Sequence, residues 1–393
     1  MKKLLYINKQ YREYDKRKYK VLSEKFALTV IWLCPFRKTE RLPEDLWDKM
    51  RYFILGFEGN RLKPWHLYYN FKLLKVLFRY GKNTDILISS TSDSWQSKIA
   101  FFVAKYLINV PVSFRKEVWF KDCDNSTLLA NINNELTRFI EKRADGMFYP
   151  GAKQKLFLLE RGVAENRLFP FPCLIYDMKQ YKNEQYKDSV LLKRIRNKFV
   201  FLYVGRIIEL KGLDVLIRAF SEIERKYSHS FLLIVGEPAD GGYHAEHSLG
   251  YFEDCKKLIA KYSIQNAHFC GHIPPNDIWS YYKISNVFVQ PNKKYLKNVL
   301  TGEGWGNVVV EAASMGLPLI VSDRVSSGYE LIEDGKNGFL VDSDSLEENL
   351  YNAMQYMIEN ADQLKEFGKY SRLKYKAYND PGKIVNSIKS VSK

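Results

Sequence analysis

Thirteen short runs of apolar, β-branched and aromatic residues recur along this chain, and helix-length stretches separate most of them. In the first half the runs are 3–7, 27–33, 52–56, 85–89, 111–114, 146–149 and 168–171, with helical stretches such as 67–80, 95–108 and 127–143 between them. In the second half they are 199–204, 230–235, 267–270, 287–290, 318–321 and 338–341, with helices such as 213–226 and 251–262. Strands apolar at nearly every position have both faces covered, as in a parallel sheet between two helix layers. The alternation occurs in two blocks. It predicts an α/β chain of two doubly wound, Rossmann-like domains facing each other, residues 1–180 and 195–378. The active site is then expected in the cleft between them, because open parallel sheets bind ligands at the carboxyl ends of their strands. The polar stretch 176–198, rich in Lys, Asn, Tyr and Gln, reads as the boundary. A short helix at 384–391 follows Asp380-Pro381-Gly382, and residues 379–393 are expected to pack back toward the first domain.

A length of 393 residues is enough for two such cores. The charge is uneven. Residues 1–190 hold 35 of the 61 Lys+Arg and 21 of the 45 Asp+Glu, so 14 of the net +16 charges sit in the first half. A basic face suits nucleic acid, an anionic membrane or an acidic substrate, and a solvated lysine-rich surface is the plain alternative. The five cysteines, Cys34, Cys123, Cys173, Cys255 and Cys270, are scattered without metal-ligand spacing, which predicts a reducing cytoplasm. No leader peptide and no window of about 18 apolar residues is apparent, so any membrane contact is expected to be peripheral, at the inner face.

Two places carry chemistry. The strand 201–204 runs into Gly205-Arg206, and Lys211-Gly212 follows before a helix begins near Leu213. Arg206 and Lys211 would both stand at the carboxyl edge, where a planar fork and a point charge together can neutralise a diphosphate. Further on, Gly302-Glu303-Gly304-Trp305-Gly306-Asn307-Val308-Val309-Val310-Glu311 has two carboxylates flanking a glycine-rich turn and a helix start near Asn307. Backbone N–H groups at a helix start attract phosphate, whereas carboxylates accept from hydroxyls. A nucleotide sugar offers both. Surface cations at a loop and two unrelated glutamates are the bland reading of the same residues.

The order and strand context weigh against the bland reading. Gly205-Arg206 with Lys211-Gly212, Glu303-Gly304-Trp305-Gly306 with Glu311-Ala312, and Gly316-Leu317-Pro318-Leu319-Ile320 resemble the retaining glycosyltransferases of family 4. The resemblance covers about residues 199–342, and Tyr329-Glu330-Leu331-Ile332 to Gly338-Phe339-Leu340-Val341 extends it. It implies the GT-B fold of two facing Rossmann-like domains. It also implies transfer of a hexose or N-acetylhexosamine from a UDP- or GDP-sugar, with retention at C1. By residue, it implies that Arg206 and Lys211 hold the donor diphosphate and that Glu303 contacts the sugar hydroxyls. Gly306, Asn307 and Val308 would turn the backbone against sugar and phosphate, and Glu311 would accept from the ribose. Gly205 opens this edge, and the loop at Gly271-His272-Ile273 would bracket the base. Glu303, Arg206 and Lys211 are the catalytic candidates. With two cations and a helix start to meet the leaving charge, no metal or other cofactor is expected.

The first half departs from that family. Tyr6-Ile7-Asn8-Lys9-Gln10-Tyr11 has no glycine after the first strand, and Val112-Ser113-Phe114-Arg115-Lys116-Glu117-Val118-Trp119 has no histidine. Arg115, Lys116 and Glu117 are the acceptor-side candidates. The implied acceptor is a glycan or polyprenyl-linked glycan in cell-surface polysaccharide or glycoconjugate assembly, with the basic domain against an anionic membrane. Other signals are weak. Asp122-Cys123-Asp124 and Asp342-Ser343-Asp344 read as loop charges, not metal ligands, and His244 and His247 read as lying in a glycine-bounded loop. The basic run 12–20 is either a contact surface or a solvated charge run. Competing activities on the same fold are nucleotide-sugar epimerisation and phosphorolysis. A nucleic-acid or membrane-surface binding protein is the remaining alternative, and no nucleic-acid module is recognisable, so no nucleic-acid partner is expected.

Overall fold

The run Phe199–Val204 is buried at all six positions, and so is Ser230–Val235, as strands sandwiched between helices must be. In the computed structural model of the protein, such strands build two separate parallel sheets. The structure describes the chain apart from residues 35–45, 47, 57–66, 121–127, 179–188, 240–244, 276, 297, 298 and 393. Two units result. The first comprises Met1–Trp119, Asp124–Ile175 and Asn379–Lys393, and the second Phe120–Cys123 and Tyr176–Tyr378.

In the first unit, β1 (Lys3–Asn8), β2 (Ala27–Trp32), β3 (Arg51–Ile54), β4 (Ile86–Ser89), β5 (Val112–Arg115), β6 (Gly146–Tyr149) and β7 (Leu168–Pro170) form a parallel sheet in the order β3-β2-β1-β4-β5-β6-β7. Alternate residues of β1 feed two cores. Leu5 and Ile7 pack on one face with Leu73, Phe101 and Ile140, and Leu4 and Tyr6 pack on the other with Tyr19, Leu22 and Ile384. Those partners come from α1 (Lys16–Lys25), α2 (Leu67–Tyr80), α3 (Trp95–Phe102), α4 (Leu128–Arg143) and the last helix, α14 (Pro381–Val391). Fully burying each such side chain contributes about 1.5–3 kcal/mol.

Two expectations change here. The single helix read over 95–108 becomes α3 followed by a π-turn at Val103–Leu107, closed by the left-handed Asn109 and leaving Tyr106 and Leu107 exposed. The basic run 12–20 is partly internal. Lys18 is buried against the rings of Tyr6 and Tyr19 and paired to Asp15 at 2.7 Å, and Arg17 donates to the carbonyl of Ile175.

In the second unit the order is β10-β9-β8-β11-β14-β15. These are β8 (Phe199–Val204), β9 (Ser230–Val235), β10 (Ala267–Phe269), β11 (Val287–Gln290), β14 (Leu319–Ser322) and β15 (Gly338–Val341), all parallel, with a small hairpin of β12 (Tyr295–Leu296) and β13 (Val299–Leu300). The helices are α5 (Ala152–Glu160), still in the first unit, then α6 (Ser189–Ile195), α7 (Leu213–Lys226), α8 (Ala245–Lys261), α9 (Trp279–Lys283), α10 (Asn307–Met315), α11 (Gly328–Leu331), α12 (Leu346–Glu359) and α13 (Leu364–Tyr378). Helix α8 corrects a reading of the sequence. It runs through Gly250 and carries His247, which the sequence placed in a loop; its apolar face, with Tyr251, Phe252, Cys255, Leu258 and Ile259 on the core, outweighs the helix-weakening glycine. His244 lies outside the described residues.

Candidate active site

Strand order reverses direction between β8 and β11: the chain moves outward from β8 to β10 on one side and from β11 to β15 on the other. Such a reversal leaves a crevice at the carboxyl ends of the two strands. The loops leaving β8 and β11 meet there. Gly212 adopts φ +69°, and a Cβ on it would stand 1.9 Å from the carbonyl oxygen of Pro291. Lys293 N–H donates to the carbonyl of Leu210 at 3.0 Å, tying the loops together. The Lys293 ammonium reaches Asp214 at 2.9 Å, and Tyr251 holds that carboxylate from α8.

Lys211 and Glu303 meet in this crevice. The Lys211 ammonium donates to the Glu303 carboxylate, the lysine nearly inaccessible and the glutamate about a quarter exposed at 27%. Burial pushes the Glu303 carboxyl up, but the charge and hydrogen bond of Lys211 and the charge of Arg206 outweigh it and hold the group below its usual range. Arg206 is exposed, and its guanidinium makes no hydrogen bond or ion pair among the described residues. The sequence placed both cations on one anionic ligand. In the structure one of them already has a carboxylate, and the other is uncommitted.

The backbone of Glu303 is fixed on both sides. Its N–H donates to the carbonyl of Arg324 at 2.7 Å, and the Arg324 guanidinium donates twice to the carbonyl of Thr301, at 2.8 and 2.5 Å. Gly306, at φ +95°, then turns the chain into α10, where no side chain caps the first turn. The N–H groups of Asn307 and Val308 therefore stand at an open helix start, favourable to an anion. Two buried polar atoms beside it, the indole N–H of Trp305 and the amide oxygen of Asn307, have no hydrogen-bond partner among the described residues. A ligand or an ordered water can satisfy groups of this kind. The Trp305 ring is itself stacked on Tyr378, with centroids 4.9 Å apart.

Glu311 lies one turn further along α10, where Tyr282 from α9 donates to it at 2.8 Å. Burial pushes its carboxyl up to about 7 despite that hydrogen bond. His272 follows the left-handed Gly271 beyond β10, two strands from the crevice, exposed and 3.4 Å from Glu237. Gly205 directly follows β8, and its N–H donates to the carbonyl of Val235.

The acceptor-side candidates lie in the first unit. Arg115 is buried and donates to Glu117 and, at 2.8 Å, to the sulfur of Cys173. Lys116 is buried between Asp93, at 2.9 Å, and Glu141, at 3.1 Å. Of the three, Glu117 alone is exposed. Asp344 is paired with Lys294 and its N–H turns back to Asp342, while Asp122-Cys123-Asp124 lies outside the described residues. Among the described residues no group of three His, Cys, Asp or Glu could hold a metal ion, and no helix is long and apolar enough to cross a membrane. Tyr282, Arg324 and Trp305 are neighbours of the candidate residues that spacing did not reveal. They reach the site through tertiary packing, and only Trp305, inside the glycine-flanked turn, had a local signal.

A doubly wound unit thus brings an open helix start, an exposed cation and a lysine-held carboxylate together at its switch point. Residues 188–374 match the family model of the glycosyl transferases group 1. A glycosyltransferase of Haemophilus influenzae is 27% identical over 201 residues, 51% of this chain and 50% of that protein. The GDP-mannose-dependent alpha-(1-6)-phosphatidylinositol monomannoside mannosyltransferase of Mycolicibacterium smegmatis is 28% identical over 223 residues, 55% of this chain and 52% of that one. The chain spans about half the length of these curated relatives. Among solved structures, Anabaena HepE in complex with UDP superposes with a TM-score of 0.74 at 15% identity, covering 98% of both chains. A glycosyltransferase of Rickettsia africae gives 0.72 at 17% identity, over 98% of this chain and 96% of that one. These likenesses establish the fold, two Rossmann-like α/β units as in GT-B glycosyltransferases.

Proposed function

We propose that the chain transfers a hexose or N-acetylhexosamine from a nucleotide diphosphate sugar to a glycan or lipid-linked acceptor, with retention at C1, in the assembly of a cell-surface polysaccharide or glycoconjugate. One observation carries the reading: at a single switch point, a lysine-held carboxylate stands beside an uncommitted arginine and an uncapped helix start. The first suits sugar hydroxyls and the other two suit a diphosphate. HepE has been crystallised with UDP and glucose, which supports a donor of this class.

In the reaction the bond from C1 to the diphosphate oxygen breaks and a bond from an acceptor oxygen to C1 forms. The nucleoside diphosphate leaves with the electron pair, and the proton of the acceptor hydroxyl passes to the departing phosphate oxygen. Negative charge grows on the departing phosphate, where Arg206, the N–H groups of Asn307 and Val308, and Lys211 would meet it. Preorganised donors of this kind each supply about 3 kcal/mol. Glu303 would accept from the sugar hydroxyls and favour positive charge on the ring. Glu311 would accept from the ribose, and His272 would stand toward the base. With Arg206, the helix start and a shared Lys211 to meet the leaving charge, the transfer would proceed without a divalent metal. The basic first unit would take the acceptor, with Glu117 the exposed member of its triad and an anionic membrane surface alongside.

The test is a panel of UDP- and GDP-sugars read by slow release of nucleoside diphosphate, with and without chelator. Release from one donor that survives chelation and disappears in Glu303→Ala and Arg206→Ala, both still folded, supports the assignment. Near wild-type turnover in either variant would show the site to be wrong. Turnover of the nucleotide sugar to its epimer without release would favour the epimerase.

A further inference from the structure

At the edge of the first sheet opposite the strand carboxyl ends, the amino ends of β1, β2 and β3 and the last turn of α2 enclose a concavity of about 670 Å³. Lys3, Lys49, Arg51 and Arg79 line it, and Asp48 is the acid among its lining residues. None of the four cations has an ion-pair partner among the described residues, although ion pairs are frequent elsewhere in the chain. Asp85, just outside, is engaged by the backbone N–H of Lys3 at 2.6 Å. The two arginines are also positioned. Their guanidinium carbons stand 5.0 and 5.5 Å from the centroid of the same Tyr80 ring, which in turn packs on Phe53 at 4.9 Å.

Like charges gathered on one ring repel each other, and an ordinary basic surface relieves that by spreading its cations or interleaving acids. Here the cations converge on a concave surface that Ala27, Leu28 and Met50 also line. A single arginine in the last turn of α2 would be explained by the helix dipole alone; Arg51, Lys3 and Lys49, which come from strand ends and a loop, would not. Forked guanidinium groups suit phosphate oxygens.

We propose that this concavity of the first unit is a second binding site, for a phosphate-bearing group, while the donor would react at the switch point of the second unit. The amino edge of a parallel sheet is not where its chemistry occurs, so the bound group anchors or regulates and does not react. The phosphate could belong to a soluble phosphorylated molecule or to a phospholipid headgroup.

Full-length protein is titrated with inorganic pyrophosphate and, separately, sedimented with phosphatidylcholine vesicles with and without phosphatidylglycerol. The Arg51→Gln/Arg79→Gln variant and an independent Lys3→Gln/Lys49→Gln variant are each expected to weaken binding at least about tenfold, with an unchanged melting curve. Loss of pyrophosphate binding alone assigns a soluble ligand, and loss of phosphatidylglycerol-dependent sedimentation assigns the headgroup. Equal binding by wild type and both variants in both arms, or no binding of either probe by wild type, overturns the proposal. UDP binding is measured in the same samples. It reports on the second unit, so failure of the donor reading and failure of this one remain distinguishable.

Discussion

Lys211 and Glu303 stand 92 positions apart in the sequence and form one hydrogen-bonded ion pair at the β8/β11 switch point. The lysine comes from a loop that crosses the Pro291 carbonyl at Gly212, and the glutamate from a loop clamped by Arg324. On the proposed reading, an arriving diphosphate would meet a lysine whose charge is already balanced and would share it with Glu303, while Arg206 and the start of α10 stand open.

Breaking this pair from either side leaves a charge beside a partner of the same loop system. Glu303→Gln and Lys211→Met are each expected to cost about 1–3 kcal/mol of stability, with a coupling of similar size in the double mutant, measured by urea unfolding. Each should also lower nucleoside diphosphate release at least about 100-fold. The Glu303 carboxyl is held below its unfolded value. Its contribution is complete above the unfolded value and is lost as pH falls through the lower folded one. Glu303→Gln should therefore flatten the acid limb of the stability profile; an unchanged limb would show the pair to be energetically silent.

Glu311 behaves in the opposite sense. Burial raises its folded value to about 7 from 4.5, so the folded state holds the proton more tightly than the unfolded one. Stability should fall as pH rises between those two values, and Glu311→Gln should remove that slope. If the carboxylate accepts from ribose hydroxyls, UDP affinity should rise as pH passes about 7 in the wild type and stay flat in the variant. Tyr282→Phe removes the donor that favours the charged form and should move the rise to higher pH. Calorimetric titration of UDP across the range decides it.

Much of this architecture was legible in the sequence, because short apolar, β-branched runs such as 199–204 and 287–289, set between helix-length stretches, read as strands covered on both faces. The start of α10 at Asn307 was legible too, since Gly306 frees the chain to turn into it. What could not be read was which charges are spent. Nothing in the spacing of Lys211 and Glu303 says that they meet, or that Lys116 is buried between Asp93 and Glu141. The Tyr282 hydroxyl on Glu311 is likewise a product of how α9 packs on α10.

Glu141 illustrates such a hidden charge. It is fully buried, paired with Lys116 at 3.1 Å and with Arg161 at 2.5 Å, and receives the Ser92 hydroxyl at 2.7 Å. Glu141→Ala would leave two cations inside the first unit with less than their compensation and should cost about 3–5 kcal/mol. Unfolding in urea measures it. A loss below about 1 kcal/mol would mean that water or Asp93 replaces the carboxylate.

Two glycines should respond to alanine with opposite signs. Gly250 lies inside α8 with no atom within 4 Å of the position a Cβ would take, so Gly250→Ala should stabilise the protein by about 0.5–1 kcal/mol through helix propensity alone. Gly212 has a left-handed backbone, and its added Cβ would stand 1.9 Å from the Pro291 oxygen. Gly212→Ala must therefore separate the two loops that bring Lys211 to Glu303. It should cost at least about 2 kcal/mol and lower nucleotide-sugar turnover with it. Paired thermal melts and turnover assays check both. A neutral Gly212→Ala would mean that the loops leaving β8 and β11 do not cross as closely as the ion pair requires.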